Sequence, residues 1–363
     1  MIVHIPEKFK HLAAPDYKPG GSTDRPVGFI DLAPTLLSIA GMKPPKHMQG
    51  HAFHGKYVTE KQRYNYGFRG RMDERYDMVR SVRDAQYIYL RHYMPHRIYG
   101  QYIAYMFQTP TTATWRKLFD EGKLTEAQAR FWQPKPPEEL YDFINDPDEV
   151  NNLIDSPDHQ DVVKRMRKEQ QAWAKRIRDL GFLPEGEIHS RCNGDTPYEM
   201  GHDPGRYDLE TIMAAAEIAA KRDLEAVPAL KKNLRHSDSA VRYWGAMGML
   251  IRGKAAIEET RRPLRRALED ESLYVRAIAA EALGTHGNSN DLDTAIAALE
   301  EILQTDKVGF ATLLALVALD ELGSKAARLK PLVEKVLAQQ GTYTGPKMSG
   351  YIKNVCNHFL KTA

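Results

Sequence analysis

Hydrophobic and polar residues follow two different patterns along the chain. Up to about residue 185, short apolar and aromatic runs alternate with Pro- and Gly-rich segments, which is typical of strands, loops and separate helices. From about residue 207 the chain is rich in Ala, Leu, Glu, Lys and Arg, and its apolar residues have helical spacing. We therefore predict an α+β region over residues 1–185, a linker over 186–206 and an all-α region over 207–363.

The pattern near the start of the chain predicts two short strands and one helix. The strands are expected at residues 1–5 and 27–30, and the helix over 32–40, with Asp31 as its N-cap. The apolar residues of this helix share one face and are expected to lie in a core: Leu32, Leu36, Ile39 and Ala40. Because the chain begins inside a predicted strand, we expect it to be part of something longer.

Residues 79–180 are predicted to contain a hairpin followed by helices and one more strand. Residues 84–86 separate two strand-like runs, which predicts a tight antiparallel hairpin. Residues 115–132 are predicted to be helical with a break near 123–126, where Thr125 caps a second helix. A strand at 140–143, a turn at 145–148 and a helix over 158–180 follow. The apolar face predicted for this last helix consists of Val162, Met166, Trp173, Ile177 and Leu180.

The all-α region contains a weak internal repeat. A Pro, then an Asp, then a Val-Arg pair recur at a spacing of about 34 residues. The residues that carry the repeat are Pro228, Asp238, Val241, Arg242, Pro263, Asp270, Val275 and Arg276. This pattern resembles HEAT repeats, in which stacked helix pairs bury a shared apolar face. An ordinary helical bundle is the alternative.

Composition and charge exclude several classes of function. The net charge of +3 over 363 residues is too small for a nucleic-acid-binding domain, and no apolar run approaches the length of a membrane span. The first residues lack the basic and apolar segments of a signal peptide. The two cysteines, Cys192 and Cys356, form neither a disulfide framework nor a CxxC pair.

Three stretches, in order, resemble sulfatases of the formylglycine-dependent, alkaline-phosphatase-like superfamily. The first is DLAPTLL at residues 31–37 with MQG at 48–50, and the second is MDERYDMVRSVR at 72–83 followed by YIY at 87–89. The third combines ELYD at 139–142, DPDE at 146–149 and NL at 152–153. They cover residues 1–185, so the resemblance implies the C-terminal part of a sulfatase: the end of an α/β core and a small C-terminal subdomain.

The resemblance also implies which chemistry this chain lacks. Full-length relatives use calcium and a formylglycine made from a Cys-x-Pro-x-Arg motif, and in their chain order these groups precede the matched region. Neither Cys192 nor Cys356 begins that motif, and no Asp-Asp pair is present. We therefore expect no catalytic residue, no metal ligand and no cofactor in this chain, and no sulfate-ester hydrolysis by the chain alone. A periplasmic or extracellular location is implied by the family only.

Candidate binding residues lie in the second stretch and just after it. In a full sulfatase the C-terminal subdomain leans over the rim of the substrate pocket, and Arg binds sulfate through paired charge-assisted hydrogen bonds. The resemblance thus implies that this rim contacts a sulfated sugar through Arg71, Asp73, Glu74, Arg75, Tyr76 and His96. The alternative is that these residues form a local ion-pair network. A further cluster, His47, His51 and His54, fits either a transition-metal site or a solvated loop.

Two hypotheses on function remain open at this point. The chain is part of a truncated or split sulfatase, whose partner is the catalytic segment and whose substrate is a sulfated glycan. Alternatively, it is a non-catalytic binding module that uses its HEAT-like face to hold a protein partner or a sulfated glycan.

Overall fold

A computed structural model describes residues 1–345 and 348–363. The chain forms two compact units, each built from separate stretches of sequence. Unit 1 comprises Met1–Phe68, Arg80–Arg91 and Glu138–Ile177, and unit 2 comprises Arg69–Val79, His92–Pro137 and Arg178–Ala363. The domain division predicted at residues 186–206 stays a prediction; segments 69–79 and 92–137 are grouped with the helical tail.

Four strands form one antiparallel sheet in the order β1-β2-β3-β4, so each strand pairs with the next in sequence. The strands are β1 (Asn65–Met72), β2 (Arg75–Arg83), β3 (Tyr87–His92) and β4 (Glu138–Asp142). The hairpin predicted around residues 84–86 is therefore confirmed, as is the strand predicted at 140–143. The register between β3 and β4 places Tyr87 opposite Asp142 and Leu90 opposite Glu139.

The helices, in chain order, are α1 (Leu32–Ile39), α2 (Pro110–Asp120), α3 (Glu126–Ala129), α4 (Gln160–Arg176), α5 (Glu185–Ser190), α6 (Pro197–His202), α7 (Leu209–Ala220), α8 (Val227–Asn233), α9 (Ser239–Arg252), α10 (Lys254–Ala267), α11 (Leu273–His286), α12 (Ser289–Thr305), α13 (Phe310–Leu322), α14 (Lys330–Ala338) and α15 (Met348–Thr362). The helices predicted between residues 115 and 180 are present. Thr125 caps α3 as predicted, because its side chain accepts a hydrogen bond from the backbone N–H of Gln128.

The core of unit 1 lies between the sheet and α4. Fully buried residues from three elements meet there: Val82, Tyr89, Leu140, Val163 and Met166. The buried residues of α4 are Val163, Met166, Gln170 and Ala174, so the predicted stripe is confirmed at Met166. Its other members, Val162, Trp173, Ile177 and Leu180, are half-buried, and the last two lie beyond the helix. This helix ends at Arg176, before the predicted Gly181, and Arg178 adopts a left-handed conformation with φ of 54°.

The start of unit 1 differs from the sequence prediction in two ways. Residues 1–5 have no regular structure, and residues 29–31 form a 3₁₀ turn, so both predicted strands are wrong. A strand needs a hydrogen-bonded neighbour, and no strand of the described residues pairs with either segment. The helix predicted over 32–40 is present as α1, but the face predicted to be buried is exposed and the opposite face is buried. Its buried side chains are Pro34, Thr35 and Ser38, while Leu32, Leu36 and Ile39 are exposed.

Polar contacts explain why α1 buries its polar face. Thr35 Oγ1 accepts a hydrogen bond from the backbone N–H of Phe53 at 3.1 Å, and Ser38 Oγ accepts one from Tyr57 at 2.7 Å. Asp31 does not cap α1; its carboxylate accepts from the N–H groups of Gly28 and His51. The loop that follows α1 is therefore fastened to the helix by side chains of the DLAPTLL stretch and its neighbour.

Unit 2 is dominated by stacked helix pairs. Helices α7, α9, α11, α13 and α15 pack against one another in sequence and form one row, which we call the inner row. Helices α8, α10, α12 and α14 pack against members of this row, and we call them the outer helices. The repeated residues Asp238 and Asp270 lie in turns before inner-row helices, where Asp238 caps α9 and Asp270 accepts from the N–H of Ser272. Asp306 occupies the corresponding position before α13 and accepts from the N–H groups of Val308, Gly309 and Thr312.

The segment predicted as a linker is ordered into two short helices, α5 and α6. Glu187 of α5 is buried and accepts hydrogen bonds from the hydroxyl groups of Ser239 and Ser272, at the starts of α9 and α11. Arg191 pairs with both Glu187 and Asp238 at 2.7 Å. The segment therefore packs along the repeat turns of unit 2 through specific polar contacts.

Candidate substrate-binding site

Five of the six predicted rim residues lie at the turn that joins β1 to β2. Asp73 occupies this turn with φ of 45°, a left-handed conformation that Asp tolerates better than most residues. Arg71 precedes the turn, and Glu74, Arg75 and Tyr76 follow it. The short connection thus places two arginines and two carboxylates within a few residues of one another.

Arg71 is paired and only partly exposed. Its Nε donates a hydrogen bond to Glu185 Oε2 at 2.6 Å, and a terminal guanidinium nitrogen pairs with the same carboxylate. Its guanidinium carbon lies 5.6 Å from the ring centroid of Tyr76 and 6.0 Å from that of Tyr351. A sulfate group that used Arg71 would therefore have to compete with Glu185 for the same donors.

Glu74 and Arg75 are buried, with relative exposures of 0% and 2%. Glu74 accepts hydrogen bonds from the backbone N–H of Ala104 at 2.6 Å and from the Asn354 side chain at 3.2 Å. Arg75 donates to the carbonyl of Tyr102 at 2.9 Å and forms an ion pair with Asp320. These two residues join the β1–β2 turn to residues 102–104 and to helices α13 and α15, all within unit 2.

Asp320 has a second partner in this network. His358 Nδ1 lies 2.7 Å from its other carboxylate oxygen, and the His358 ring stacks on Tyr102 at 3.7 Å between centroids. Burial alone would raise the pKa of Asp320, but its contacts with His358 and Arg75 outweigh burial and lower it. Asp320 is therefore ionised at neutral pH and balances the buried Arg75.

His96 lies apart from the turn, in a cationic environment. Neither of its ring nitrogens is exposed, and neither has a hydrogen-bond partner among the described residues. Burial, reinforced by Arg97, Lys135 and Arg222, holds the pKa of His96 well below its usual value. His96 is therefore neutral at physiological pH. Whether it and the five turn residues contact a sulfated sugar stays a prediction.

Sequence reasoning missed two ion pairs of Arg97 in this region. Arg97 is buried and pairs with Glu281 of α11 at 2.6 Å and with Glu321 of α13 at 2.9 Å. The available signal was the presence of carboxylates inside otherwise apolar helical runs, IAAEALG at 278–284 and VALDEL at 317–322. A carboxylate in such a run requires a buried partner, although its identity is not readable from the sequence.

The structure also shows the environment of the three clustered histidines and of the two cysteines. His47 and His51 are exposed, whereas His54 is buried and its Nδ1 accepts a hydrogen bond from the N–H of Ala14 at 2.9 Å. No group of three potential metal ligands occurs among residues 1–345 and 348–363. Both cysteines are buried thiols, and burial raises the pKa of Cys356 to about 12. A thiol with that pKa is a poor nucleophile near neutral pH.

The third sulfatase-like stretch shapes the loop after β4. Asn152 accepts hydrogen bonds from the backbone N–H groups of Leu140 and Ile154, and Leu153 donates to the carbonyl of Leu140 at 2.7 Å. Asp142 accepts from the Gln86 and Asn145 side chains. These residues fix the chain between β4 and α4, so this stretch has an architectural role in unit 1.

A close approach explains the glycine of the MQG stretch. A Cβ atom at Gly50 would collide with the carbonyl oxygen of Ile30. Only glycine lets residues 50 and 30 come this close, and the approach aligns the next residue, His51, with its hydrogen bond to Asp31.

Comparisons with known proteins bear on both regions. Residues 246–320 match a family model described as HEAT repeats. An ulvan-active sulfatase of Formosa agariphila is 36% identical over 208 residues, which are 56% of this chain and 33% of that protein. A second ulvan-active sulfatase of the same organism is 29% identical over 196 residues, 50% of this chain and 37% of that protein. A solved structure of a candidate sulfatase from Bacteroides thetaiotaomicron VPI-5482 has 20% identity and a TM-score of 0.26, covering 40% of this chain and 24% of that one.

The resemblance to sulfatases followed by HEAT-like repeats is thereby confirmed, and the fold class of an α+β region followed by helical repeats is confirmed with it. The chain spans about a third of the length of the two sulfatases that it matches. No helix in the described part of the chain is long and apolar enough to cross a membrane.

Proposed function

We propose that this chain is the C-terminal region of a sulfatase that hydrolyses sulfate esters of a polysaccharide such as ulvan. In this proposal a catalytic segment outside these 363 residues supplies the nucleophile and the calcium ligands. The chain alone would then not hydrolyse sulfate esters. Its identity to two ulvan-active sulfatases supports the family and the substrate class, and an uncovered apolar face supports the missing partner.

That face carries the proposal. Large apolar side chains between residues 29 and 42 are exposed: Phe29 at 93%, Ile30 at 56%, Leu36 at 68%, Ile39 at 43% and Met42 at 55%. Scattered exposed leucines are ordinary, but this density within one short segment is typical of a surface that another element covers. Burying one such side chain contributes about 1.5–3 kcal/mol, so the face as a whole could hold a partner firmly.

We propose the sulfatase catalytic segment as the occupant of this face. The chain corresponds to only a third of its curated relatives, which leaves a large remainder to pack against it. Helix α1 belongs to the first sulfatase-like stretch, and its outward face is apolar while its inward face is polar. A helix that is polar on its inner face and apolar on its outer face is stable when both faces have partners, and the described residues supply a partner for the polar face only.

The candidate rim has a more limited role in the proposal. Arg71, Asp73 and Tyr76 are partly exposed, and Arg71 can exchange Glu185 for a sulfate group. Glu74 and Arg75 lie beneath the turn, so we assign them its support and not contact with the sugar. His96 is shielded from solvent and lies apart from the turn, so we assign it no contact with the sugar either.

A chimera tests the proposal directly. The matched region of the 36% identical Formosa sulfatase would be replaced by this chain, and calcium-dependent release of sulfate from ulvan would be measured. We expect the chimera to be active, the isolated chain to be inactive, and the Phe29→Ser/Leu36→Asp chimera to lose at least tenfold in activity because its apolar face no longer packs.

The control is Val308→Ser, which changes an exposed apolar side chain of the repeat array. It should leave the activity of the chimera unchanged. Turnover of ulvan or an aryl sulfate by the isolated chain would contradict the proposal, and so would a folded chimera that releases no sulfate.

A further inference from the structure

The inner row of the repeat array is buried on both of its sides. Every residue of α9 from Ala240 to Ile251 is buried, and α13 has ten buried residues out of thirteen. A helix that is apolar around its whole circumference must be covered all round. The outer helices contact this row, and the rest of its surface needs a second layer to cover it.

The chain itself provides part of this layer. We call residues 92–105 the arm; they belong to unit 2 together with residues 69–79 and the repeat array. The arm, together with Arg75 at the start of β2 (the strand end), contacts every helix of the inner row. The contacts are Tyr93 with Glu217 of α7 and Trp244 of α9, Arg97 with Glu281 of α11, Arg75 with Asp320 of α13, and Tyr102 with His358 of α15.

The contacts are complementary in charge and mostly buried. The inner row contributes carboxylates, and the arm and strand end contribute arginines. Glu281 is 2% exposed and Arg97 is 7% exposed. Without Arg97, Glu281 would lose its ion pair inside the protein, and without Glu281, Arg97 would keep the partly exposed Glu321 as its partner. Removing one partner of such a pair is strongly unfavourable. Separating the arm from the array would therefore break these buried ion pairs, which is energetically unfavourable.

We propose that the inner face of the repeat array is a docking surface for the chain's own arm, and that the array positions residues 71–76 and 92–105 instead of recruiting another protein through that face. Helical-repeat proteins commonly bind partners on their inner surface. Here that surface has an occupant of matching charge from the same chain. The inference goes beyond the proposed sulfatase activity and does not depend on it.

Hydrogen exchange of the full chain, read by mass spectrometry, tests the proposal. In the unchanged protein, amides of residues 92–105 that are hydrogen-bonded should exchange about as slowly as those of α11. Glu281→Gln and Asp320→Asn should each accelerate exchange in the arm at least tenfold while α8 stays protected. The matched control is Glu301→Gln, which removes an exposed carboxylate of α12 that pairs with Arg276 at 2.8 Å, and it should change nothing in the arm.

A double substitution separates coupling from general damage. Arg97→Met leaves Glu281 bare and should loosen the arm, whereas Arg97→Met combined with Glu281→Met removes both charges and should restore most of its protection. If the charge variants fold poorly, Tyr93→Phe removes only the hydroxyl that donates to Glu217 at 2.7 Å and should accelerate exchange in the arm a few fold.

Three results would overturn the inference. The arm could exchange as fast as exposed loops in the unchanged protein. The double substitution could leave the arm no better protected than either single one. The variants could also lose protection equally in the arm and in α8, which would indicate global destabilisation and not release of a docked segment.

Discussion

Two apolar surfaces of this protein differ in their burial: one is exposed and the other is covered. In unit 1, helix α1 and the turn before it expose Phe29 and Leu36 at 93% and 68%. In unit 2, the inner row is just as apolar, yet Trp244 and its neighbours are almost completely buried. The two surfaces differ in whether another segment covers them. The arm covers the inner row, and no segment of the described residues covers the outer face of α1. An uncovered apolar face therefore marks where a further element is expected.

The largest expected effect follows from comparing one residue of each surface. Trp244→Ala removes a side chain that contacts Tyr93 and donates from Nε1 to the carbonyl of Phe182 at 2.8 Å. We expect a loss of about 3–5 kcal/mol of unfolding free energy in urea denaturation. Phe29→Ala in the isolated chain should change it by less than about 0.5 kcal/mol. Comparable losses in both variants would mean that the face around Phe29 is already covered.

A smaller effect is expected where unit 1 packs its backbone closely. Gly50→Ala forces a Cβ against the carbonyl of Ile30 and displaces the loop that contacts Asp31. We expect a loss of about 1–3 kcal/mol in the same denaturation experiment. Gly70→Ala is the matched control, because no atom lies within 4 Å of its added Cβ. Equal stability of the two variants would show that the loop after α1 is not fixed in this way.

The smallest expected effect is a dependence on pH. Burial lowers the pKa of His54 below 6.5, the usual value for histidine, so between the two pKa values the unfolded chain binds more protons than the folded one. Stability from the neutral His54 is thus complete above about pH 6.5 and declines as the pH falls. Unfolding free energies measured from pH 7.5 to 5 should fall less steeply in His54→Asn, which cannot be protonated. His47→Asn, at an exposed position, should keep the slope of the unchanged protein.

The sequence was most informative where local rules are strong. The β2–β3 hairpin, the Thr125 cap and the repeat of helix pairs follow from turn residues, a capping pattern and a recurring spacing, each of which acts over a few residues. It was wrong at residues 1–5 and 27–30, because an apolar run becomes a strand only beside another strand. It also reversed α1, since Leu32, Leu36 and Ile39 share a face that would be buried only if a partner were present.

The candidate site also has features that the sequence predicts and features that it does not. Arginine and carboxylate residues around positions 71–76 are visible in the sequence, and their proximity follows from the short turn. That Glu74 and Arg75 are buried, and that their partners are Asn354 and Asp320, is not visible, because the partners lie hundreds of residues away.

The order of residues alone establishes the resemblance to sulfatases, the helical repeats and the absence of a Cys-x-Pro-x-Arg motif, since these depend on which residues occur and in what order. Which apolar surface is covered, and which buried carboxylate balances which arginine, is visible only in the folded protein. Burial and charge pairing depend on what the folded chain brings within a few ångströms, and this is set by packing between distant segments.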